Sequence, residues 1–88
     1  MIEKLKDMDA DLKEFICKKL FEERIGIKSA IINEAIMDGL DEHNVLKGLD
    51  IFLYNELISI PMVPNPVLSK DILINDTKYH ELKSKGYL

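Results

Sequence analysis

Three prolines within six residues divide this chain into a long N-terminal part and a short tail. Pro61, Pro64 and Pro66 exclude a regular helix from their neighbourhood, because proline lacks a backbone N–H donor and its ring obstructs the preceding turn. The sequence therefore predicts an extended, polyproline II-like connector over residues 60–68. Such a connector is either a flexible hinge or a strap across the helices, and its apolar side chains favour the strap.

The length of the chain limits it to one domain. Its 88 residues, of which 47% are apolar and 32% charged, are typical of a folded chain and exclude disorder. We expect a single domain over residues 1–88, with a helical core over 1–59 and a helical tail over 69–88. A domain of this size buries only about 60% of its unfolded surface, so self-association would add stability.

Cysteine content and hydropathy indicate the compartment. The single cysteine excludes an intrachain disulfide. No apolar run approaches the roughly 20 residues of a membrane-spanning helix, and residues 1–8 have no signal-peptide pattern. We expect a cytoplasmic protein without membrane contact. Its abundance of Ile, Lys and Asn is typical of a low-GC bacterium or its phage.

The first amphipathic stripe covers residues 2–22 and predicts one continuous helix. Its apolar side chains recur at steps of three and four residues. They are Ile2, Leu5, Met8, Leu12, Phe15, Ile16 and Leu20. Lys19 lies near the middle of this stripe, so either the pattern weakens there or the lysine stem extends from the buried face to solvent.

Two more core helices are predicted over residues 28–38 and 42–58. Ser29 and Asp41 are their expected N-caps, and Gly39 suits the left-handed position after the first of them. Apolar residues surround the helix over 28–38, which indicates burial on more than one side. The helix over 42–58 has the i, i+3, i+4 pattern of a core helix.

Two residues inside the third helix carry specific expectations. A glycine inside a helix costs about 1 kcal/mol relative to alanine, so Gly48 predicts close packing against a neighbouring helix. Phe52 is expected to be a central core residue.

The tail contains one ambiguous segment and one well-delimited helix. Residues 69–75 are compatible with a short helix or with a strand around 72–74. Over 77–85 a helix is predicted, with Asp76 as its N-cap and Gly86 after its end. A Schellman closure would then bring Tyr87 to Leu82. The fold class we expect is all-α: a small three-helix core, a proline-rich strap and a short C-terminal helix.

No pattern in the sequence indicates catalysis, a metal or a cofactor. The nitrogen and sulfur ligands are Cys17, His43 and His80, which are too far apart to form a local metal motif. Nucleophile motifs and glycine-rich phosphate loops are absent. We therefore expect a protein that is not an enzyme, in which Cys17 is a half-buried structural residue.

Binding to nucleic acid is disfavoured by charge but has one motif in its support. The net charge of −4 opposes contact with phosphates. Residues 76–88 nevertheless resemble the end of a winged-helix recognition helix, and the family's wing would lie beyond Leu88. The resemblance implies phosphate contacts from one set of side chains. They are Lys78, His80, Lys83 and Lys85, with Lys70 also in the tail.

A second possible helix-turn-helix fails on its apolar positions. Ala35 and Gly39 have the spacing of that motif, but Glu34 and Asp38 occupy positions that should be apolar. The helix that would follow begins with acidic residues, which repel phosphates.

The sequence therefore predicts a small, non-enzymatic protein–protein interaction module: a regulator, an inhibitor, an adaptor or a subunit of an assembly. The alternative is a DNA-binding regulator. The interaction module is favoured because the chain carries more apolar helical surface than so small a bundle can bury. The partner is another protein or a second copy, with a homodimer formed through the first helix. The predicted partner-binding residues are Leu5, Met8, Leu12, Phe15, Tyr79, Leu82 and Tyr87.

Overall fold

Helices dominate the structure, a computed structural model that describes residues 2–61 and 71–88. The elements, in chain order, are α1 (Ile2–Lys6), α2 (Ala10–Cys17), a π-helical segment (Lys18–Glu22), α3 (Lys28–Met37), α4 (Glu42–Tyr54), β1 (Ile58–Ser59), β2 (Leu73–Ile74) and α5 (Asp76–Ser84). The expected helical class is confirmed in outline, but a strand pair accompanies the helices. The predicted strap lies, beyond Pro61, outside the described residues.

The first amphipathic stripe forms two α-helices instead of one. α1 ends at Lys6, and the Asp9 side chain caps α2 by accepting a hydrogen bond from the Leu12 N–H at 3.1 Å. Aspartate favours this position because its carboxylate satisfies a free N–H of the first turn. α2 then passes into the π-helical segment, where the Glu23 N–H donates to the Lys18 carbonyl at 2.8 Å. The prediction of one continuous helix is therefore wrong.

The core lies between the helices and the small sheet, and α4 is its central element. The largest fully buried side chains of the core are Leu5, Ile16, Leu20, Ile31, Val45, Phe52 and Leu57. Gly48 lies where α2 crosses α4: a Cβ at this position would be 2.5 Å from Ile16 Cδ1 and 3.2 Å from Met8 Cε. The expected close packing at Gly48 is confirmed, and α4 covers part of the first amphipathic stripe.

Helix ends that depend on local residues agree with the sequence. The Asp41 side chain accepts from the Asn44 N–H at 3.1 Å. Gly39 and Gly86 have left-handed φ angles of +82° and +84°. At the end of α5 the Tyr87 N–H donates to the Leu82 carbonyl at 3.0 Å, as a Schellman closure requires.

Two predicted N-caps are wrong. Ser29 lies inside α3; the free N–H of Lys28 donates instead to Asp71 Oδ1 at 2.8 Å, across 43 positions of sequence. At α5 the cap is Asn75, whose side chain accepts from the Lys78 N–H at 3.1 Å, and Asp76 is the first helical residue.

α4 is shorter than the helix predicted over residues 42–58, because the chain reverses after Tyr54. Glu56 has a left-handed φ of +64°, and the Leu57 N–H closes the helix by donating to the Phe52 carbonyl at 3.0 Å. β1 follows and pairs antiparallel with β2, in the register Ile58 to Ile74. The ambiguous tail segment therefore contains a strand. Within the described ranges, no helix has the length and apolar character needed to cross a membrane.

Candidate interaction surfaces

The structure brings the two predicted partner-binding groups together inside one chain. Leu5 is fully buried and Leu82 is 4% exposed. The other predicted side chains are half-buried and pack against the same core: Met8, Leu12, Phe15, Tyr79 and Tyr87. Leu5 and Leu82 therefore belong to the core of this chain. A partner role for the seven residues stays a prediction.

Polar and aromatic contacts join the tail to the first helices. The Lys13 ammonium donates to the Leu5 carbonyl and to the Tyr87 carbonyl, both at 3.1 Å. The Phe21 and Tyr79 rings are stacked, with centroids 4.1 Å apart and planes inclined by 13°. Of the side chains suggested for a partner, that of Tyr79 is therefore engaged within the chain.

Between α2 and α5 lies a groove of about 470 Å³, which we call the α2–α5 groove. It is lined by Ala10, Lys13, Glu14, Cys17, Lys18, Glu22, Tyr79, Lys83 and Leu88. Burial raises the pKa of the Cys17 thiol to about 11, so the thiol is neutral at pH 7. Cys17 is half-buried, as expected. No group of three potential metal-ligating His, Cys, Asp or Glu side chains occurs among the residues described.

The residues suggested for phosphate contact are mostly engaged within α5. Glu81 lies 3.1 Å from the Lys85 ammonium and 3.6 Å from that of Lys78. The hydrogen bond from Lys85 is the main cause of the lowered pKa of Glu81. Lys83 lies over the Tyr79 ring, 5.4 Å from its centroid, and the His80 ring is tilted against the same tyrosine at 5.4 Å.

The buried lysine of the first stripe is neutralised by two carboxylates. Lys19 Nζ lies 2.9 Å from Glu23 Oε2 and 3.2 Å from Glu34 Oε1, and 5.4 Å from the centroid of the Phe15 ring. The hydrogen bond to Glu23 is the main cause of the raised pKa of Lys19. Lys19 lies where α2 gives way to the π-helical segment, and its ammonium is paired beside the core.

A different surface, formed by two grooves that share Asp50, follows the outer side of α4. The first, about 140 Å³, is lined by Lys28, Leu49, Asp50, Leu53, Ile58, Ile60, Asp71 and Ile72. The second, about 380 Å³, is lined by Lys4, Lys47, Asp50, Ile51 and Tyr54. We call the two grooves together the α4 surface. Two of its apolar side chains are largely exposed: Tyr54 is 66% exposed and Ile60 is 60% exposed.

Sequence reasoning missed the α4 surface, although a signal was present. Ile51 and Tyr54 are the apolar residues of α4 that lie outside the core stripe of that helix. Ile60 was assigned to the connector. These side chains meet at neighbouring grooves because of the position of the sheet. That position cannot be inferred from the periodicity of one helix.

No protein-family model, curated protein or solved structure matches the chain. The winged-helix resemblance consequently rests on the tail residues alone. In the described part of the chain, moreover, the strand pair precedes α5, whereas the resemblance places the wing after it.

Proposed function

We propose that this chain is a non-enzymatic protein–protein interaction module that binds its partner through the α4 surface. The observation that supports the proposal most directly is the exposure of Tyr54 and Ile60 beside a groove walled by apolar side chains. Exposed apolar side chains grouped in this way on a small domain mark a partner site. Tyrosine is also enriched among the residues that dominate interface energies.

The electrostatics of α5 support this function over the DNA-binding alternative. Two of the three lysines that would contact phosphates in and directly after α5, Lys78 and Lys85, are paired with Glu81, and this carboxylate lowers the positive charge presented to phosphates. α4, the helix that precedes the strand pair, begins with Asp41 and Glu42 at its N-terminus, which repel a phosphate backbone. A DNA-binding protein would need more unpaired basic charge on either helix.

Self-association through the first helix has less support than binding through the α4 surface. Met8 and Leu12 lie over Gly48, where a Cβ would be 3.2 Å and 3.6 Å from their methyl groups. This contact places both side chains in the packing of α2 on α4, so less of the stripe remains for a second copy. A homodimer through the first helix is therefore the weaker of the two proposals.

The test compares a surface variant with a matched control. Tyr54→Glu/Ile60→Asp places charge in the α4 surface, whereas Met37→Glu changes an apolar residue that is 84% exposed and lines neither groove. Each immobilised protein is used for affinity capture from a lysate of the source organism, with quantitative mass spectrometry. We expect a protein captured by the wild type and by Met37→Glu but lost with Tyr54→Glu/Ile60→Asp.

Circular dichroism controls for folding, and we expect the three proteins to unfold within a few degrees of one another because the substituted side chains are exposed. Equal capture of every ligand by the wild type and by the folded double variant would exclude the α4 surface as the partner site.

A further inference from the structure

Building on the proposed function, we propose that the partner segment at the α4 surface is short, amphipathic and acidic. Its apolar side chains enter the groove beside Leu53 and Ile60, and its Asp or Glu side chains meet Lys4, Lys28 and Lys47. The proposal names a class of partner segment for the same surface, and it rests on charge complementarity as well as on the exposed apolar side chains.

The lining of the α4 surface is positively charged. Residues 1–60, which contribute most of that lining, are acidic overall. Residues 1–60 contain thirteen acidic and eight basic side chains. The lining of the α4 surface contains three lysines and two aspartates, Asp50 and Asp71. Asp71 is already engaged, because its Oδ1 accepts the hydrogen bond that caps α3. Three lysines against two aspartates leave the lining with a net charge of +1 on an otherwise acidic protein.

Two lysine side chains of the α4 surface are also available, in contrast to several cations elsewhere in the chain. Lys19 and Arg24 are ion-paired, and Lys13 donates to two carbonyls. Neither Lys4 nor Lys47 has an ion pair with a carboxylate in the described ranges. A partner carboxylate would therefore gain these contacts without displacing an existing one.

The two grooves set the arrangement of the partner segment. The groove beside Leu53 is lined mainly by aliphatic side chains, and the second groove places two lysines around Ile51 and Tyr54. A segment with apolar anchors at helical spacing and carboxylates on the flanks satisfies both grooves at once. Rim charges of this kind contribute chiefly to association rate and specificity, while the apolar anchors supply most of the affinity.

The experiment is a selection from a random peptide library displayed on phage. The wild-type protein is the target, and Tyr54→Glu/Ile60→Asp removes peptides that bind elsewhere. We expect the selected peptides to combine two or three large apolar residues with an excess of Asp and Glu. The net charge of −4 repels acidic peptides in general, so their enrichment would indicate attraction at the α4 surface.

The selected peptides are then measured against charge-reversed variants by fluorescence anisotropy. Lys4→Glu/Lys47→Glu should weaken binding about tenfold at low salt and less at 500 mM salt, because exposed ion pairs are modest and screened. The matched control, Lys18→Glu/Lys83→Glu, makes the same change of net charge in the α2–α5 groove and should weaken binding much less.

The outcomes separate the two proposals. Peptides that require Tyr54 and Ile60 but are neutral or basic would overturn the acidic partner and leave the interaction surface standing. If no selected peptide depends on Tyr54 and Ile60, both proposals fail. Sedimentation of the wild type completes the test: a dimer abolished by Tyr54→Glu/Ile60→Asp would replace the acidic segment with a second copy of the chain.

Discussion

Arg24 and Asp76 form a bidentate ion pair across 52 positions of sequence. Arg24 Nη1 lies 3.0 Å from Asp76 Oδ1, and Nη2 lies 2.8 Å from Oδ2. Arg24 also has a left-handed φ of +57°. Arg24 lies just after the π-helical segment, and Asp76 is the first residue of α5. The pair therefore holds the tail against the first helices.

This pair predicts a dependence of stability on pH. The hydrogen bond from Arg24 is the main cause of the lowered pKa of Asp76. A carboxyl whose pKa is lower in the folded state stabilises the fold above its unfolded pKa, near 3.9, and this stabilisation is lost as pH falls through the folded pKa. We expect Asp76→Asn to lower the urea midpoint at pH 7 and to lower it progressively less as the pH falls below the unfolded pKa.

The control is Asp11→Asn, an exposed carboxylate of α2 without a described ion pair, which should change the midpoint little at either pH. An equal loss at both pH values for Asp76→Asn would show that charge does not carry the effect.

Gly48→Ala should destabilise the protein despite the better helix propensity of alanine. The new Cβ would lie 2.5 Å from Ile16 Cδ1, and overpacking typically costs about 1–3 kcal/mol, against a gain of about 1 kcal/mol from propensity. Ile16→Val removes that methyl group, so Gly48→Ala/Ile16→Val should lose less than the sum of the two single variants. Additive losses in a thermal-unfolding cycle would contradict this contact.

Glu56→Gly should stabilise the protein. Glu56 occupies a left-handed position at φ +64°, where a side chain is unfavourable by about 1–2 kcal/mol and glycine is not. The greater freedom of glycine in the unfolded chain offsets part of this gain, so we expect a net increase of about 0.5 kcal/mol. The hydrogen bond from the Asn75 amide to the Glu56 carbonyl is retained because it uses the backbone.

The matched control for Glu56→Gly is Asp50→Gly, inside α4, which should lower the free energy of unfolding by about 0.3 kcal/mol, the difference in helix propensity between Asp and Gly. Urea denaturation measures both changes, and destabilisation by Glu56→Gly would show that its side chain has a stabilising contact.

Phe52→Ala should largely unfold the domain. Phe52 is fully buried, and truncating a buried phenylalanine costs about 3–5 kcal/mol, a large part of the stability of a domain this small. Tyr54→Ala is the control, because this aromatic residue of the same helix is 66% exposed. A shift of only one or two degrees in the thermal midpoint of Phe52→Ala would place Phe52 outside the core.

Asp71→Ala should destabilise the protein by about 1 kcal/mol, because it removes the carboxylate that caps α3 at the Lys28 N–H. Ser29→Ala, at the N-cap position expected from the sequence, should change the free energy of unfolding by less than about 0.5 kcal/mol. The reverse order of effects in urea denaturation would restore Ser29 as the cap.

The sequence by itself determined the features of this protein that depend on residues a few positions apart. The Asp41 cap, the turn at Gly39 and the closure from Tyr87 to Leu82 each join groups within one helical turn or its end. The burial of Phe52 followed from the apolar spacing of one helix. Such contacts form wherever the chain takes up the helix, so their energies can be inferred from the local residues.

Only the tertiary structure decided the features that join distant positions. Asp71 replaces Ser29 as a cap because the tail brings a carboxylate to the free N–H of Lys28. Leu5 is buried and Tyr54 exposed because helices and sheet cover one side of each amphipathic segment and leave another open. Periodicity shows which residues share a face. Which face remains for a partner depends on the packing energies of elements that are far apart in the chain.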